Sequence, residues 1–320
     1  MSYPLLDVNN LSVRFRTDKN PLTVVSDLSF DVRPAEVFGM VGESGCGKSM
    51  TALSILGILP QNAYAGGQIF FRGRDLLALH EEEMRTIRGK DISMVFQEPM
   101  TSLNPVLTVG YQVAEALLAH ERISKREAMA RAVDLMKQVR IPSAEVRVRD
   151  YPHQLSGGMR QRVMIAMAIA CGPSLLIADE PTTALDVTIQ AQILELLKGL
   201  RRERRMAVLL ITHDLSIISE QADRVSIMYA GRIVELAGVD DLFLHPLHPY
   251  TRGLLKSVAT VKGMDVKPIP GFVPPPDRLP KGCTFSDRCY AAAPICHAAE
   301  PELLEVAPHH LVRCVRWREL

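Results

Sequence analysis

The segment Leu155-Ser156-Gly157-Gly158-Met159, followed by the apolar run Leu175-Leu176-Ile177-Ala178-Asp179-Glu180, is the most informative part of this sequence. The glycines stand ahead of an apolar stretch with helical spacing, so their backbone N–H groups and the helix dipole suit a bound phosphate. The apolar run ends in two carboxylates, at the point where a strand of a doubly wound sheet meets its ligand. Together the two segments predict an α/β protein that handles a phosphorylated ligand.

A second signal lies upstream, at Gly42-Glu43-Ser44-Gly45-Cys46-Gly47-Lys48-Ser49, which fits the phosphate-loop pattern G-x-x-x-x-G-K-[ST]. It follows a short apolar run and precedes a stretch with helical spacing, so strand, loop and helix are expected in that order. The glycines allow backbone N–H groups to approach phosphate oxygens. Lys48 would supply positive charge for the β- and γ-phosphates, and the Ser49 hydroxyl can ligate Mg²⁺. The alternative, a glycine-rich turn that binds nothing, fits this complete match less well.

Composition sets the outer limits of the interpretation. With 320 residues, 47% of them hydrophobic, the chain can bury a large core and is expected to hold one large domain with an appendage. A net charge of +1 provides no basic field for nucleic acid. The N-terminus lacks the pattern of a secretory signal, and Gly172 and Pro173 interrupt the longest apolar run, Val163–Ala178. We therefore expect contact with a membrane only through partners.

The order of sequence patterns predicts the organisation of the chain. Residues 5–40 alternate apolar and polar side chains, as antiparallel strands do, and residues 104–150 are rich in helix formers. Helical and strand patterns alternate over residues 156–222, which predicts a parallel sheet covered on both faces. Two strand patterns over residues 226–236 predict a closing hairpin. Prolines become frequent beyond Thr260 and mark an extended tether to a small cysteine-bearing tail.

In kind and in order, these motifs resemble those of the ATP-binding cassette (ABC) ATPases. The resemblance implies an α/β cassette fold: a RecA-like parallel sheet core with the phosphate loop, an antiparallel β subdomain, and an inserted helical subdomain at about residues 100–165. The nucleotide-binding domain would span residues 5–258. A proline-rich tether and a cysteine-containing C-terminal extension would occupy residues 259–320. The resemblance also implies that two ATPase chains close face to face, each completing the other's active site.

The resemblance assigns roles to particular residues. Glu180 would polarise the attacking water, with His213, Gln97 and Lys48 as the other catalytic residues. Solvated carboxylates and a structural histidine are the alternatives for Glu180 and His213. The implied magnesium ligands are Ser49, Gln97 and Asp179. The implied ATP-binding residues are Phe15, Gly42, Glu43, Ser44, Gly45, Cys46, Gly47, Lys48, Ser49, Met50 and Thr51, together with Ser156, Gly157, Gly158 and Asp186 facing the opposing chain's nucleotide.

Two of these positions have an alternative explanation. Phe15 lies about where the family's adenine-stacking aromatic falls, and a core position in a strand explains it nearly as well. Cys46 occupies a variable position of the phosphate loop, where a small filler explains it better than a chemical role.

Three flanking segments resemble the ATPase subunits of dipeptide and oligopeptide importers: Gln97–Pro105, Tyr151–Gln154 and His248–Thr251. This implies an ATPase at the cytoplasmic face of the inner membrane, peripheral to it, which energises peptide uptake. The implied partners are a second homologous ATPase, two membrane permeases and an extracytoplasmic substrate-binding protein, with no nucleic acid. Related importers for nickel, glutathione or antimicrobial peptides share these flanks, so the cargo remains open.

Three other functional classes fit less well. ABC ATPases of translation carry two cassettes in one chain, and those of DNA repair insert a long coiled coil, whereas this chain has one cassette without such an insertion. A regulatory module that binds nucleotide without turnover would not need both Glu180 and His213. Exporters usually fuse the cassette to a membrane domain.

The tail contains Cys283, Cys289, Cys296 and Cys314, separated by five, six and seventeen residues. Clustered cysteines in a cytosolic chain favour a metal over disulfides. The gaps are wider than those of most structural zinc sites, so the spacing alone does not identify the metal. Peptide-importer ATPases with a similar tail bind a [4Fe–4S] cluster, and the resemblance implies one here. Zinc and free thiols are the alternatives.

Overall fold

The computed structural model describes residues 3–18, 20–98, 102–183, 185–258 and 269–320. The rest, including residues 259–268 of the expected tether, residues 99–101 of the first importer-like flank and residue 184, lies outside the described part. The chain divides into two compact units. Unit 1 comprises Met1–Arg33, Val37–Ala78 and Ile211–Leu320, and unit 2 comprises Pro34–Glu36 and Leu79–Leu210.

The described part contains twelve strands and ten α-helices. The strands are β1 (Leu6–Phe15), β2 (Leu22–Val32), β3 (Val37–Gly42), β4 (Ala63–Phe71), β5 (Arg74–Asp75), β6 (Ile92–Val95), β7 (Leu175–Asp179), β8 (Ala207–Thr212), β9 (Arg224–Tyr229), β10 (Arg232–Gly238), β11 (Leu304–Ala307) and β12 (His310–Val312). The helices are α1 (Lys48–Leu56), α2 (Glu81–Ile87), α3 (Val109–Leu118), α4 (Lys125–Gln138), α5 (Ala144–Arg147), α6 (Gly157–Ala168), α7 (Val187–Arg204), α8 (Leu215–Gln221), α9 (Val239–Leu244) and α10 (Pro249–Val258).

The first sheet of unit 1 is antiparallel, with the strand order β2-β1-β4-β5. Apolar residues alternate along β1, and Leu6, Val8, Leu11 and Val13 are fully buried. One face of the strand therefore faces the core, since successive side chains of a strand point to opposite faces. The antiparallel strands expected from the alternating pattern are confirmed.

The part of the second sheet that lies in unit 1 includes, in order, β11-β12-β10-β9-β3. Strand β3, which leads into the phosphate loop, is parallel to β9 and pairs Phe38 with Arg224. Strands β9 and β10 form the expected closing hairpin. The tail adds two strands, β11 and β12, that the sequence did not predict. Strand β12 joins the sheet by pairing with β10, with Glu235 opposite Val312.

Buried Glu235 explains how the tail joins this sheet. Its carboxylate accepts hydrogen bonds from the backbone N–H groups of Leu247 (2.7 Å) and His248 (2.9 Å). Its third contact is the Nε2 atom of His310 on β12, at 2.8 Å. Since an isolated carboxylate is costly to bury, these contacts compensate for the burial of Glu235 and fix the position of the C-terminal hairpin.

Unit 2 positions two strand ends side by side. Strands β6 and β7 are parallel, with Val95 opposite Ala178, and the first residues of β8 follow on the other side of β7. All five residues of β7 are buried, as its apolar sequence predicted. Helices α3 to α6 lie in the region that was expected to be helical. No helix in the described ranges is both long and apolar enough to cross a membrane.

Candidate functional site

The phosphate loop lies between β3 and α1, and its backbone path needs glycine. A Cβ atom on Gly42 would lie 2.3 Å from the carbonyl oxygen of Met228. Gly47 has φ of 104°, and a Cβ there would lie 2.9 Å from Val25 Cγ2. Side chains at these positions would therefore push the loop away from β9 and β2. Without them, the loop turns directly from the strand into the helix, as the motif predicted.

The amine of Lys48 sits inside this loop. The residue is buried, and its Nζ atom donates to the carbonyl oxygens of Gly42 at 2.8 Å and Glu43 at 3.1 Å. The side chain thus folds back across the loop that it follows. This arrangement places one positive charge where the loop backbone would surround a phosphate group.

Helix α1 provides the positive end of its dipole to the same loop. Its first turn contains no acidic residue, and its N-cap, Gly47, has no side chain to occupy the free N–H groups. Ser49 and Met50 are half-buried in this first turn. Thr51 is fully buried, and its hydroxyl donates to the carbonyl oxygen of Gly47 at 3.0 Å. The expected contact of Thr51 with a nucleotide remains a prediction.

The remaining loop residues differ in exposure. Ser44 and Gly45 are exposed, and Gly45 has φ of 80°. Cys46 is fully buried beside Lys48, and burial raises the pKa of its thiol. A buried, protonated thiol agrees with the interpretation of Cys46 as a small filler. Glu43 is half-buried and has partners elsewhere in unit 1, which are described below.

Unit 1 also carries two outlying candidates. Phe15 is the last residue of β1, opposite Leu22 of β2 and Ala63 of β4, and it is half-buried. A strand end of this kind is compatible with both of its expected roles. His213 is exposed and directly follows β8, just before the N-cap Asp214 of α8. Its placement at a strand end agrees with the sequence, and its catalytic role remains a prediction.

In unit 2 the structure brings Gln97 and Glu180 together. Both follow parallel neighbouring strands, whose carboxyl ends share one sheet edge. The Nε2 atom of Gln97 donates to Oε2 of Glu180 at 3.1 Å. The hydroxyl of Thr183 donates to the same oxygen at 2.8 Å. The role of Thr183 was missed, although a hydroxyl three residues after a carboxylate in a turn is a recognisable local signal.

The backbone at Glu180 differs from the sequence expectation. Side chains alternate along a strand, so a strand that continued past Asp179 would point the Glu180 side chain to the opposite face. Strand β7 instead ends at buried Asp179, and Glu180 has φ of 46°. A non-glycine residue in the left-handed region costs about 1–3 kcal/mol. The turn, rather than strand alternation, therefore sets the direction of the carboxylate.

Ser156, Gly157 and Gly158 form the start of α6. Ser156 is the N-cap, and its hydroxyl accepts a hydrogen bond from the backbone N–H of Met159 at 3.4 Å. Gly158 has a separate packing role, because a Cβ atom there would lie 2.7 Å from Cγ2 of Ile189 in the first turn of α7. The motif thus combines an exposed N-cap at Ser156 with close helix packing.

Asp186 caps α7 in the same way. Its carboxylate accepts from the backbone N–H of Ile189 at 2.9 Å, and the residue is exposed. This capping role was missed, although an aspartate directly before an apolar helical run is a standard start signal. The cap does not test the predicted role of Asp186 at an opposing chain.

The four tail cysteines line one small cavity in unit 1, together with His248 and Phe285. Burial raises the pKa of the thiols of Cys283, Cys289 and Cys314, and the pKa of Cys283 rises to about 12. All four thiols are free of disulfides. Within the described ranges, no three His, Cys, Asp or Glu side chains are placed to hold a single metal ion in common.

Comparison with known proteins provides an independent test of the fold and the function. The sequence profile described as "ABC transporter" matches residues 25–183. The profile described as "Oligopeptide/dipeptide transporter, C-terminal region" matches residues 234–296.

Similar proteins cover nearly the whole chain. A putative peptide import ATP-binding protein of Brucella melitensis is 51% identical over 99% of this chain and 98% of its own length. The oligopeptide transport ATP-binding protein AppD of Bacillus subtilis is 51% identical over 98% of this chain and 97% of its own length. A solved structure, the dimeric post-hydrolysis state of the ATP-binding cassette MJ0796 bound to ADP and Pi, matches with a TM-score of 0.66 and 27% identity. It covers 73% of this chain and 98% of that one.

Proposed function

The chain belongs to the ABC transporter family, and from this premise we propose that it hydrolyses ATP to drive the import of peptides. The single observation that carries the ATPase assignment is the glycine-lined loop with the buried amine of Lys48 at the start of α1. The peptide assignment is supported by relatives that match over nearly the full length and are named for peptide import or oligopeptide transport. The similarity over residues 234–296 supports the same class.

Phosphate binding and activation of the attacking water would use different residues. Lys48 and the N-terminus of α1 would hold the β- and γ-phosphates. The expected magnesium ligands are Ser49, Asp179 and Gln97, whose hydroxyl, carboxylate and amide oxygens are of the kind that Mg²⁺ prefers, and the ion would neutralise phosphate charge. Glu180 would accept the proton of the attacking water, held in position by Gln97 and Thr183. His213 would contact the γ-phosphate and the water.

We further propose that the chain works as one half of an ATPase pair. Ser156 is exposed at the N-terminus of the twelve-residue helix α6, and Asp186 is exposed at the start of α7. Both would then be available to a nucleotide on an opposing chain, since a helix N-terminus favours anions. The similar cassette solved as a dimer with ADP and Pi supports this arrangement. We propose a homologous second ATPase as the partner rather than a second copy.

The pair would act on two membrane permeases, with a substrate-binding protein outside, from the cytoplasmic face of the inner membrane. ATP binding would close the two cassettes, and hydrolysis with product release would reopen them. The segment after Gln97 would pass this change to the permeases. Hydrolysis should therefore be cooperative and should require both ATPase chains.

Uptake by living cells tests the cargo. A strain that lacks this chain is expected to lose at least about 90% of its ATP-dependent uptake of radiolabelled di- and oligopeptides, if turnover limits transport. The unchanged chain should restore uptake. Nickel and glutathione serve as parallel substrates. Peptide uptake that is unaffected by the deletion, combined with loss of nickel or glutathione uptake, would transfer the proposal to that cargo.

We also propose that the C-terminal extension holds a [4Fe–4S] cluster on Cys283, Cys289, Cys296 and Cys314. Such a cluster has one thiolate on each of its four irons, so the sulfurs surround the cluster instead of meeting at one atom. The observation that supports the proposal is that all four cysteines line one cavity. Binding requires thiolates, so the iron must displace protons from Cys283, Cys289 and Cys314, whose thiol pKa values are raised by burial.

Iron analysis tests the cluster proposal. Anaerobically purified protein is expected to be brown, with about four irons per chain, and Cys289→Ser should abolish the colour. Cys171→Ser is the matched control, because Cys171 is a half-buried cysteine in unit 2 that does not line the cavity. Colourless protein with one zinc per chain, or with no metal, would contradict the proposal.

A further inference from the structure

Arg288 lies in the C-terminal segment, residues 269–320, and contacts the phosphate loop directly. Its Nη1 atom lies 3.0 Å and 3.2 Å from the two carboxylate oxygens of Glu43, the second residue of the loop motif. Both residues belong to unit 1, although 245 positions separate them in the chain. Only 8% of the Arg288 side chain is exposed, so the pair is largely shielded from water on that side. Shielding makes this ion pair stronger than one on an open surface.

Arg288 is fixed by further contacts. Its Nε atom donates to the carbonyl oxygen of Pro270 at 2.9 Å, and its Nη2 atom donates to that of Gly271 at 3.2 Å. Its guanidinium also lies over the ring of Tyr229, 5.6 Å from the centroid. A planar guanidinium can make these contacts at the same time, whereas a lysine amine could not replace them all.

The backbone of Glu43 also contacts an aromatic cluster formed by Tyr250, Tyr229 and Phe285. Its backbone N–H donates to the hydroxyl of Tyr250 at 3.2 Å. The ring of Tyr250 packs on Tyr229 and on Phe285 of the C-terminal segment, with centroid distances of 4.8 Å and 5.3 Å. The position of the Glu43 backbone is thus fixed by Tyr250, and that of its carboxylate by Arg288.

The electrostatic consequence concerns the ligand. Glu43 places a carboxylate in a loop whose expected ligand carries several negative charges, and like charges at short range oppose binding. Arg288 neutralises that carboxylate and holds it in one orientation. The proposal below rests on the proposed ATPase function and goes beyond it, because it gives the C-terminal segment a part in nucleotide binding.

We propose that Arg288 is a positioning residue for ATP binding, which neutralises Glu43 and so makes the affinity of the phosphate loop depend on the C-terminal segment. The dependence extends to the cysteine cavity. Cys289 directly follows Arg288, and both Cys289 and Phe285 line that cavity.

A double-mutant cycle on the full chain tests this proposal, with MgATP binding measured by titration. Arg288→Met is expected to raise the Kd for MgATP about tenfold, within the usual range of coupling between two sites. Glu43→Gln supplies the reference Kd of the cycle, since it removes the carboxylate and leaves Arg288 in place. The double variant should return to the value of Glu43→Gln, because no carboxylate is left to neutralise. The deficit of Arg288→Met should also shrink as salt is added.

Arg278→Met is the matched control, since Arg278 lies in the same segment, is exposed and pairs only weakly with Asp277 at 4.0 Å. Thermal melting checks that each variant is folded. If Arg288→Met does not fold, Arg288→Gln enters the same cycle with Glu43→Gln.

Equal Kd values for Arg288→Met and Arg278→Met would overturn the proposal, and so would a deficit that Glu43→Gln fails to relieve. An unchanged chain that does not bind MgATP would instead refute the proposed ATPase function.

Discussion

Replacing Glu180 by glutamine is expected to lower ATP turnover by the assembled transporter by about two to four orders of magnitude. MgATP binding should stay within about threefold of the unchanged protein, because a general base acts on the attacking water and not on the phosphates. The assay measures phosphate release by the transporter in membranes or detergent, alongside nucleotide retention. The variant should retain ATP in its closed state for long periods.

The hydrogen bonds of Glu180 explain why Glu180→Gln should lower the rate of hydrolysis without changing ATP binding. Gln97 and Thr183 both donate to one oxygen of Glu180, and a glutamine amide oxygen can accept the same two hydrogen bonds. Glutamine also has the size and flexibility of glutamate, so the left-handed turn at this position need not change. The substitution therefore removes the proton acceptor and leaves its surroundings in place.

Glu195→Gln is the control for this experiment, because Glu195 is an exposed glutamate on α7 of the same unit. It should leave turnover unchanged within about twofold, as surface substitutions usually do. If Glu180→Gln retained more than about a tenth of the normal turnover, another group would have to serve as the base.

Local patterns were sufficient to predict much of the fold. The phosphate loop follows a buried strand and opens a helix, so its motif specified β3 and α1 without tertiary information. The apolar run before Asp179 likewise specified β7. In both cases a few adjacent residues determine the backbone, and the full-length similarity to ABC transporter subunits agrees with that interpretation.

Other features depend on contacts between distant parts of the chain. Nothing in the local sequence of Arg288 or Glu43 indicates that they meet, because the fold of unit 1 brings together residues from both ends of the chain. The spacing of the tail cysteines could not show that they surround one cavity. The pairing of β12 with β10 also escaped prediction, since a three-residue strand carries almost no periodic signal.

A third group was predictable and was overlooked. Ser156 and Asp186 each stand directly before a helix, and both have the side chains that helix N-caps prefer. Their local role accounts for their residue type without any second chain. The capping role therefore does not test a paired active site, which is tested by measuring ATP turnover with and without the second ATPase. The phosphate loop itself is tested by a substitution of Lys48.

Lys48→Met is expected to weaken MgATP binding by about 10- to 100-fold, since a hydrogen bond to a charged group contributes roughly 1.5–3 kcal/mol. Turnover should fall by a further factor of about 10² to 10³, because the amine also stabilises charge that develops on the phosphates. Methionine matches the four-atom aliphatic part of lysine and fits a buried position, so loss of the amine and its charge is the main change. Binding measured by titration and phosphate release separates the two effects.

The comparison with Glu180→Gln makes this prediction specific, because one variant should lose binding and the other should keep it. Lys256→Met is the matched control in unit 1, where Lys256 is exposed on α10 and its amine lies 5.9 Å from the centroid of the Tyr290 ring. Thermal melting checks that Lys48→Met is still folded, because Lys48 also donates hydrogen bonds to the carbonyl oxygens of Gly42 and Glu43 in the loop. Normal ATP affinity in folded Lys48→Met would mean that the loop does not bind the nucleotide phosphates, and the proposed role of Arg288 would fail with it.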